Sequence, residues 1–261
     1  MPAAGAGNLE VPGAQDNYTF SATAGDTIVL DVLSGSNTTF RWRISAPDSS
    51  VLFDGLYADR QLALTQTGTH TITVYGLSPT SSGAYSFRLL LSPAPQNFAI
   101  AIGDTVSDGV PAAGAGNLEA PGSLDIYSFA GAAGQSVIFD WLSGSNGVIG
   151  WRLNAPDGAV LFDVFLVDIE QTLPQTGTYT LTLRGNQVTS VGTYSFTLLL
   201  APEPQNFTIA IGDTVSADVP GPGAGNLEAP GAQDNYSFDV VAGQQVIFDW
   251  LSGSTACWVG G

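Results

Sequence analysis

The 261-residue chain has no lysine, and only one cysteine, one histidine and one methionine. Its positive charge rests on six arginines (Arg41, Arg43, Arg60, Arg88, Arg152 and Arg184) against 23 acidic residues, for a net charge of -17. So few cations cannot build a phosphate-binding face, which excludes nucleic acid as a partner and makes an anionic membrane surface repulsive. The lone Cys257 cannot form an intramolecular disulfide. No apolar run approaches the roughly 18 residues that span a bilayer, so no membrane insertion is expected. The opening "MPAAGAGNLE" lacks the basic and apolar regions of a secretory leader. Low charge does not mean disorder here, because 44% of the residues are hydrophobic and a core can form.

What is present is repetition. "GAGNLEVPG" at Gly5–Gly13 returns as "GAGNLEAPG" at Gly114–Gly122 and again at Gly223–Gly231, each copy 109 positions after the last. At that offset, without gaps, Trp42 meets Trp151, Gly68 meets Gly177, Tyr85 meets Tyr194, and "GDTVS" at Gly103 meets "GDTVS" at Gly212. Solenoid units run at about 20 to 50 residues, whereas this period is the length of a whole domain. Met1 falls where Val110 and Val219 stand, so an internal valine codon read as a start, and a longer parent chain, are expected. The final "LSGSTACWVGG" follows the repeat to Ser254 and then departs from it, as a frameshift or fragment edge would; Cys257 in that tail is given no function.

Inside each unit apolar residues alternate with period two, the signature of half-buried strands. In "GTYTLTLRG" Tyr179, Leu181 and Leu183 share one face, and in "GTYSFTLLL" Tyr194, Phe196, Leu198 and Leu200 do the same. "NFTIAIGD" and "SVIFDWLSG" read as further strands, with shorter ones at "DIYSF", "GWRLN" and "AVLFD". "APDG" at Ala155–Gly158 carries hairpin chemistry. About seven to eight strands per unit predict an all-β fold of tandem antiparallel β-sandwich, jelly-roll-like domains. The proline-punctuated "SPAPQN" (Ser92–Asn97) and "APEPQN" (Ala201–Asn206) read as semi-rigid linkers. The expected division is therefore 1–97, a first sandwich missing its opening strand; 98–206, a complete sandwich; and 207–261, a truncated third unit.

The ordered set of an Asp-x-Tyr-x-Phe strand, a following glycine, a Pro-Asp-Gly turn and two Gly-x-Tyr strands resembles tandem bacterial pre-peptidase C-terminal (PPC) domains. In the central unit the set is Asp125, Tyr127, Phe129, Gly134, Pro156, Asp157, Gly158, Gly177, Tyr179, Gly192 and Tyr194. The first unit keeps Asp16, Tyr18, Phe20, Gly25, Gly68 and Tyr85, but has Ser49 for the turn glycine and His70 for tyrosine. The resemblance implies a jelly-roll-like sandwich appended to bacterial secreted enzymes or surface proteins, hence a secreted or cell-surface location. It also implies that calcium and fibrous substrates such as collagen are within the fold's range.

Three sets of recurring carboxylates are candidates for chemistry. Asp31, Asp140 and Asp249 lie in mid-strand, and Asp54 and Asp163 follow "VLF"; Asp31, Asp140, Asp54 and Asp163 are the calcium candidates, since a hard cation takes several oxygen ligands. A solvated face or a hydrogen bond to a neighbouring loop is the favoured account of the mid-strand set, and no EF-hand loop is present. Asp16, Asp125 and Asp234 are expected to cap turns. Glu10, Glu119 and Glu228 pair with them in sequence as glycosidase carboxylates would, but a framework repeats its turn residues where an enzyme rarely repeats its active site. His70 gives way to Tyr179 in the central unit, so no general base recurs and no catalytic residue is assigned.

Trp42 and Trp151 read as core, whereas Tyr57, Tyr75 and Phe165 stand where the copies differ and are the candidate ligand-binding aromatics, able to stack on sugar rings. The segment Gly55–Gln61 against Val164–Glu170 is the candidate ligand-facing edge. Taken together, the sequence predicts a non-catalytic extracellular binding or adhesion module for a polysaccharide or extracellular protein, covalently linked to neighbouring domains of a longer chain. The alternative is a spacer with no ligand of its own.

Overall fold

A computed structural model describes residues 5–144 and 147–251. Cys257 and Trp258 lie outside them. No helix occurs among the described residues, and none is long and apolar enough to cross a membrane. The chain forms two compact units, Met1–Leu200 and Ala201–Gly261. The first holds two hydrophobic cores, one around Trp42, Ile44 and Tyr85 and the other around Trp151, Leu153 and Tyr194.

The first sandwich comprises β1 (Asn8–Leu9), β2 (Gln15–Ala22), β3 (Thr27–Ser34), β4 (Phe40–Ser45), β5 (Val51–Leu56), β6 (Arg60–Ala63), β7 (Gly68–Gly76), β8 (Gly83–Ala84) and β9 (Ser86–Leu91). One sheet runs β2-β7-β4-β5 and the facing sheet β6-β3-β9, with β1 and β8 as a short extra pair. The second sandwich comprises β10 (Gln96–Ala99), β11 (Thr105–Val106), β12 (Asn117–Leu118), β13 (Leu124–Gly131), β14 (Ser136–Ser143), β15 (Ile149–Asn154), β16 (Val160–Phe165), β17 (Ile169–Thr172), β18 (Gly177–Gly185), β19 (Gly192–Thr193) and β20 (Ser195–Leu200). Its sheets run β10-β13-β18-β15-β16 and β11-β20-β14-β17, with β12 and β19 paired beside them. The all-β sandwich architecture is thus what the alternation specifies. In β18, Tyr179, Leu181 and Leu183 are fully buried while the threonines between them are half-buried.

The second sandwich has an opening segment that spans both of its sheets. β10 pairs in parallel with β13, from Gln96 opposite Asp125 to Ala99 opposite Ser128, and β11 pairs antiparallel with β20. The "QNFAIAIGD" stretch is therefore not one strand. Asp104 turns it, accepting from the Ala101 N–H at 2.8 Å, and its second half crosses to the other sheet. β10 also opens at Gln96, inside the segment read as linker. In the first sandwich no described strand lies on the outer edge of β2 or β9.

The unit from Ala201 holds β21 (Gln205–Thr208) and β22 (Asp234–Ser237), which pair in parallel in the register of β10 and β13. Beyond β22 most of its described apolar residues are open to solvent, with Ile247 90% and Phe248 80% exposed.

Candidate functional site

The repeated nonapeptide is a framework device. In the second sandwich the Gly116 N–H donates to the Tyr127 hydroxyl at 2.9 Å, Tyr127 and Tyr194 share a 2.8 Å hydroxyl contact, and Tyr194 donates to Asp125. The first sandwich repeats the chain through Gly7, Tyr18, Tyr85 and Asp16. In the third copy Gly225 donates to the Tyr236 hydroxyl at 2.7 Å and Tyr236 donates to Asp234. The expectation that these aspartates cap turns is corrected: Asp125 belongs to β13, in phase with Tyr127 and Phe129, and is fully buried. Burial pushes its pKa up to about 6; the Tyr194 hydrogen bond opposes the rise and nearby Glu119 adds to it. Glu119 itself accepts from the Gln96 amide of β10 at 3.0 Å. The signal for this role was in the sequence, since a period of two puts Asp125 on the same face as the two aromatics.

Three of the four calcium candidates are held by arginines. Asp31 is buried in β3 and accepts from Arg88 Nε at 2.8 Å. Asp54 accepts from Arg43 Nε at 2.9 Å and from the Tyr75 hydroxyl. Burial raises the Asp54 pKa, but those two donors outweigh it and hold the carboxyl below its usual range. Asp163 takes Arg184 at 2.7 Å. Asp140 stands opposite Thr197, where the first sandwich has Arg88; burial first and Asp168 second raise its pKa. Among the described residues no three carboxylate, histidine or cysteine side chains gather as a metal site would need.

The aromatic candidates separate. Tyr57 is 1% exposed and packs on Trp42 at a centroid distance of 4.7 Å, so it belongs to the core and is not a ligand-facing residue. Its counterpart Leu166 is equally buried, which shows that a core position can change between copies. Tyr75 is half-buried and held by Asp54. Phe165 is 46% exposed.

Phe165 lies in a cross-strand row that explains a cleft. β15 places Gly150 directly between Arg184 of β18 and Phe165 of β16. The equivalent row in the first sandwich is Tyr75, Arg41 and Leu56. There the central arginine fills the surface and lies 3.7 Å from Asp54. In the second sandwich the missing side chain leaves a cleft of about 490 Å³, lined by Gly150, Asp163, Val164, Phe165, Arg184 and Asn186, among others. It presents an exposed ring, an Asp163–Arg184 ion pair and an amide, a combination suited to holding a polar ring-shaped group. Sequence comparison between the copies shows Gly150 in place of Arg41, but only the strand register shows that this absent side chain sits between two present ones.

No known family model matches the chain, and no curated protein does. Among solved structures it is similar to the pre-peptidase C-terminal domain of collagenase from Bacillus anthracis, at 15% identity and a TM-score of 0.31, over 41% of this chain and 98% of that one. It is also similar to the CUB1-EGF-CUB2 domains of human MASP-1/3, at 9% identity and a TM-score of 0.26, over 76% of this chain and 98% of that one. A third likeness is to the CBM22-1-CBM22-2 tandem domain of Paenibacillus barcinonensis Xyn10C, at 11% identity and a TM-score of 0.23, over 71% of this chain and 82% of that one.

Proposed function

We propose that the chain is a non-catalytic binding array of PPC-like sandwiches, part of a larger bacterial secreted or surface protein, and that its second sandwich holds a polysaccharide chain in the Gly150 cleft. The observation that carries this reading is the opening of that cleft at one diverged row on an otherwise repeated scaffold. Phe165 supplies an apolar face for a sugar ring, while Arg184, Asp163 and Asn186 supply hydrogen bonds at its edge. The lining contains no nucleophile paired with a base, which supports binding over catalysis.

The test is retention of the full chain on insoluble polysaccharides and on collagen, with calcium and with chelator. Retention on polysaccharide in both conditions is expected. Phe165→Ala should weaken it at least tenfold, and so should Gly150→Arg, which restores the residue of the first sandwich, with the circular dichroism unchanged. Loss with chelator alone shifts the reading to a cation-dependent site, and retention on collagen alone to a protein ligand. A chain retained by no matrix is a spacer. One feature favours that second reading: a polar seam, in which Ser92 Oγ donates to the Gly122 carbonyl at 2.9 Å, ties the two sandwiches together.

A further inference from the structure

We propose, on the strength of the polysaccharide reading of the Gly150 cleft, that the cleft is part of a longer platform for an acidic chain. An internal stretch of a uronic acid polymer lies across the strands of the second sandwich, with one carboxylate on Arg152.

Strand register sets the length. Gly150 stands opposite Arg184 of β18 and Phe165 of β16, and Arg184 stands opposite Leu124 of β13. The row of Leu124, Arg184, Gly150 and Phe165 therefore crosses four strands, roughly 14 Å at the usual spacing and enough for about three linked sugar rings. Beside it runs a second row of Ile126, Thr182, Arg152 and Asp163. Both rows lie on the outer face, since the alternate residues Asp125, Tyr127, Leu183 and Trp151 are the buried ones.

Strand β13 has diverged in step with the cleft. The first and third copies carry polar amides on this face, Gln15 with Asn17 and Gln233 with Asn235, whereas the second carries Leu124 and Ile126. Leu124 is half-buried and Phe165 is exposed, so the first row has an apolar side chain at each end and Gly150 low between them. Apolar walls with a few placed polar groups suit the ring faces and edges of a sugar chain.

Unpaired charge sets the character of that chain. In the first sandwich both arginines of this face are drawn to Asp54, Arg43 at 2.9 Å and Arg41 at 3.7 Å. In the second, Arg184 takes Asp163 at 2.7 Å, and Arg152, the counterpart of Arg43, forms no ion pair among the described residues. Arg184 Nη1 also has no hydrogen-bond partner. Two arginines thus face one carboxylate on a chain of net charge -17. A ligand carboxylate complements the free guanidinium, which can give it two parallel N–H bonds. Distant acidic residues weigh little at that contact, because salt screens them beyond about 8 Å.

Isothermal titration calorimetry of the full chain tests this with oligomers of galacturonic and of mannuronic acid, from mono- to hexasaccharide, and with their methyl esters. Affinity for one of the acids is expected to rise up to the trisaccharide and then level, and esterification to weaken it at least tenfold. Arg152→Gln should bring acid and ester within twofold of each other. Leu124→Gln with Ile126→Asn, the residues of the other two copies, should weaken the trisaccharide at least fivefold and leave hydrogen exchange in β18 unchanged. Acid and ester bound alike, a monosaccharide bound as tightly as the trisaccharide, or an acid preference that survives Arg152→Gln overturns the proposal. So does failure of both acids on a chain that neutral polysaccharide retains and Phe165→Ala releases, an outcome that leaves the cleft reading standing. Retention by no polysaccharide, acidic or neutral, removes the cleft reading and this one with it.

Discussion

At the scale of single residues, Asp125 and His70 carry opposite polar consequences of burial. Asp125 accepts from Tyr194 and stands near Glu119, and burial outweighs the hydrogen bonds that favour its charge. Its folded pKa, about 6, stands above the ordinary 3.8. The folded state therefore binds the proton more tightly than the unfolded chain does. This contribution to stability is complete below pH 4 and is lost as pH rises through about 6. Chemical denaturation of the full chain at several pH values should show the second sandwich losing stability across that window. Asp125→Asn should remove the slope, and a slope unchanged in the variant would assign it elsewhere. His70 is buried with Nε2 unpartnered, where its counterpart Tyr179 donates to the Gln175 carbonyl at 2.6 Å and accepts the Gln175 N–H. His70→Tyr should therefore stabilise the first sandwich by about 1–2 kcal/mol, by satisfying backbone groups at Gln66 and removing an orphaned nitrogen; a lower midpoint in urea would refute this.

At the scale of elements, the β4–β5 and β15–β16 hairpins make one turn with two residues. Asp157 accepts the Ala159 N–H at 2.9 Å and is followed by Gly158 at φ +86°; Asp48 accepts Ser50 at 2.9 Å, but the left-handed position is Ser49 at φ +68°. A Cβ in that region costs about 1 kcal/mol. Ser49→Gly should recover most of it, read as a higher melting temperature for the first sandwich alone. This turn was legible in "APDG", as were the long strands, because each repeats a local signal over several residues. β1, β8, β11 and β12 were not, being two residues long and without period, and β19 is cut off at Tyr194 from the strand that "GTYSFTLLL" suggests. The bend at Asp104 was missed for a related reason. Phe98, Ile100 and Ile102 alternate as in one strand, while the crossing between sheets is decided by β20, which enters the sequence some 90 residues later. Tyr57 was misread because variation between copies marks a repacked core as readily as a binding edge; at Phe165 and Gly150 the same variation opened the surface.

At the scale of the whole molecule, the cores predict how the first compact unit comes apart. Each sandwich buries its own aromatics, and the polar contacts at the seam between them are few: Ser92 Oγ to the Gly122 carbonyl at 2.9 Å, Gln61 Nε2 to the same oxygen at 3.4 Å, and Thr189 Oγ1 to Asp59 at 3.4 Å. Such a seam couples the sandwiches weakly, so a single two-state transition is not expected. The second sandwich has a segment spanning both sheets where the first has no described strand, and burying side chains such as Phe98 and Val106 contributes roughly 2 kcal/mol each. Calorimetry should resolve two transitions for Met1–Leu200, with the first sandwich melting first. Hydrogen exchange followed through the heating ramp assigns them: amides of β3, β4 and β7 should open before those of β14, β15 and β18. If both sets open together, the Gly122 seam transmits more than its contacts suggest. Gly122→Val would then separate the transitions, because a side chain there meets Ser92 Oγ at 2.5 Å from its first carbon and forces the seam apart.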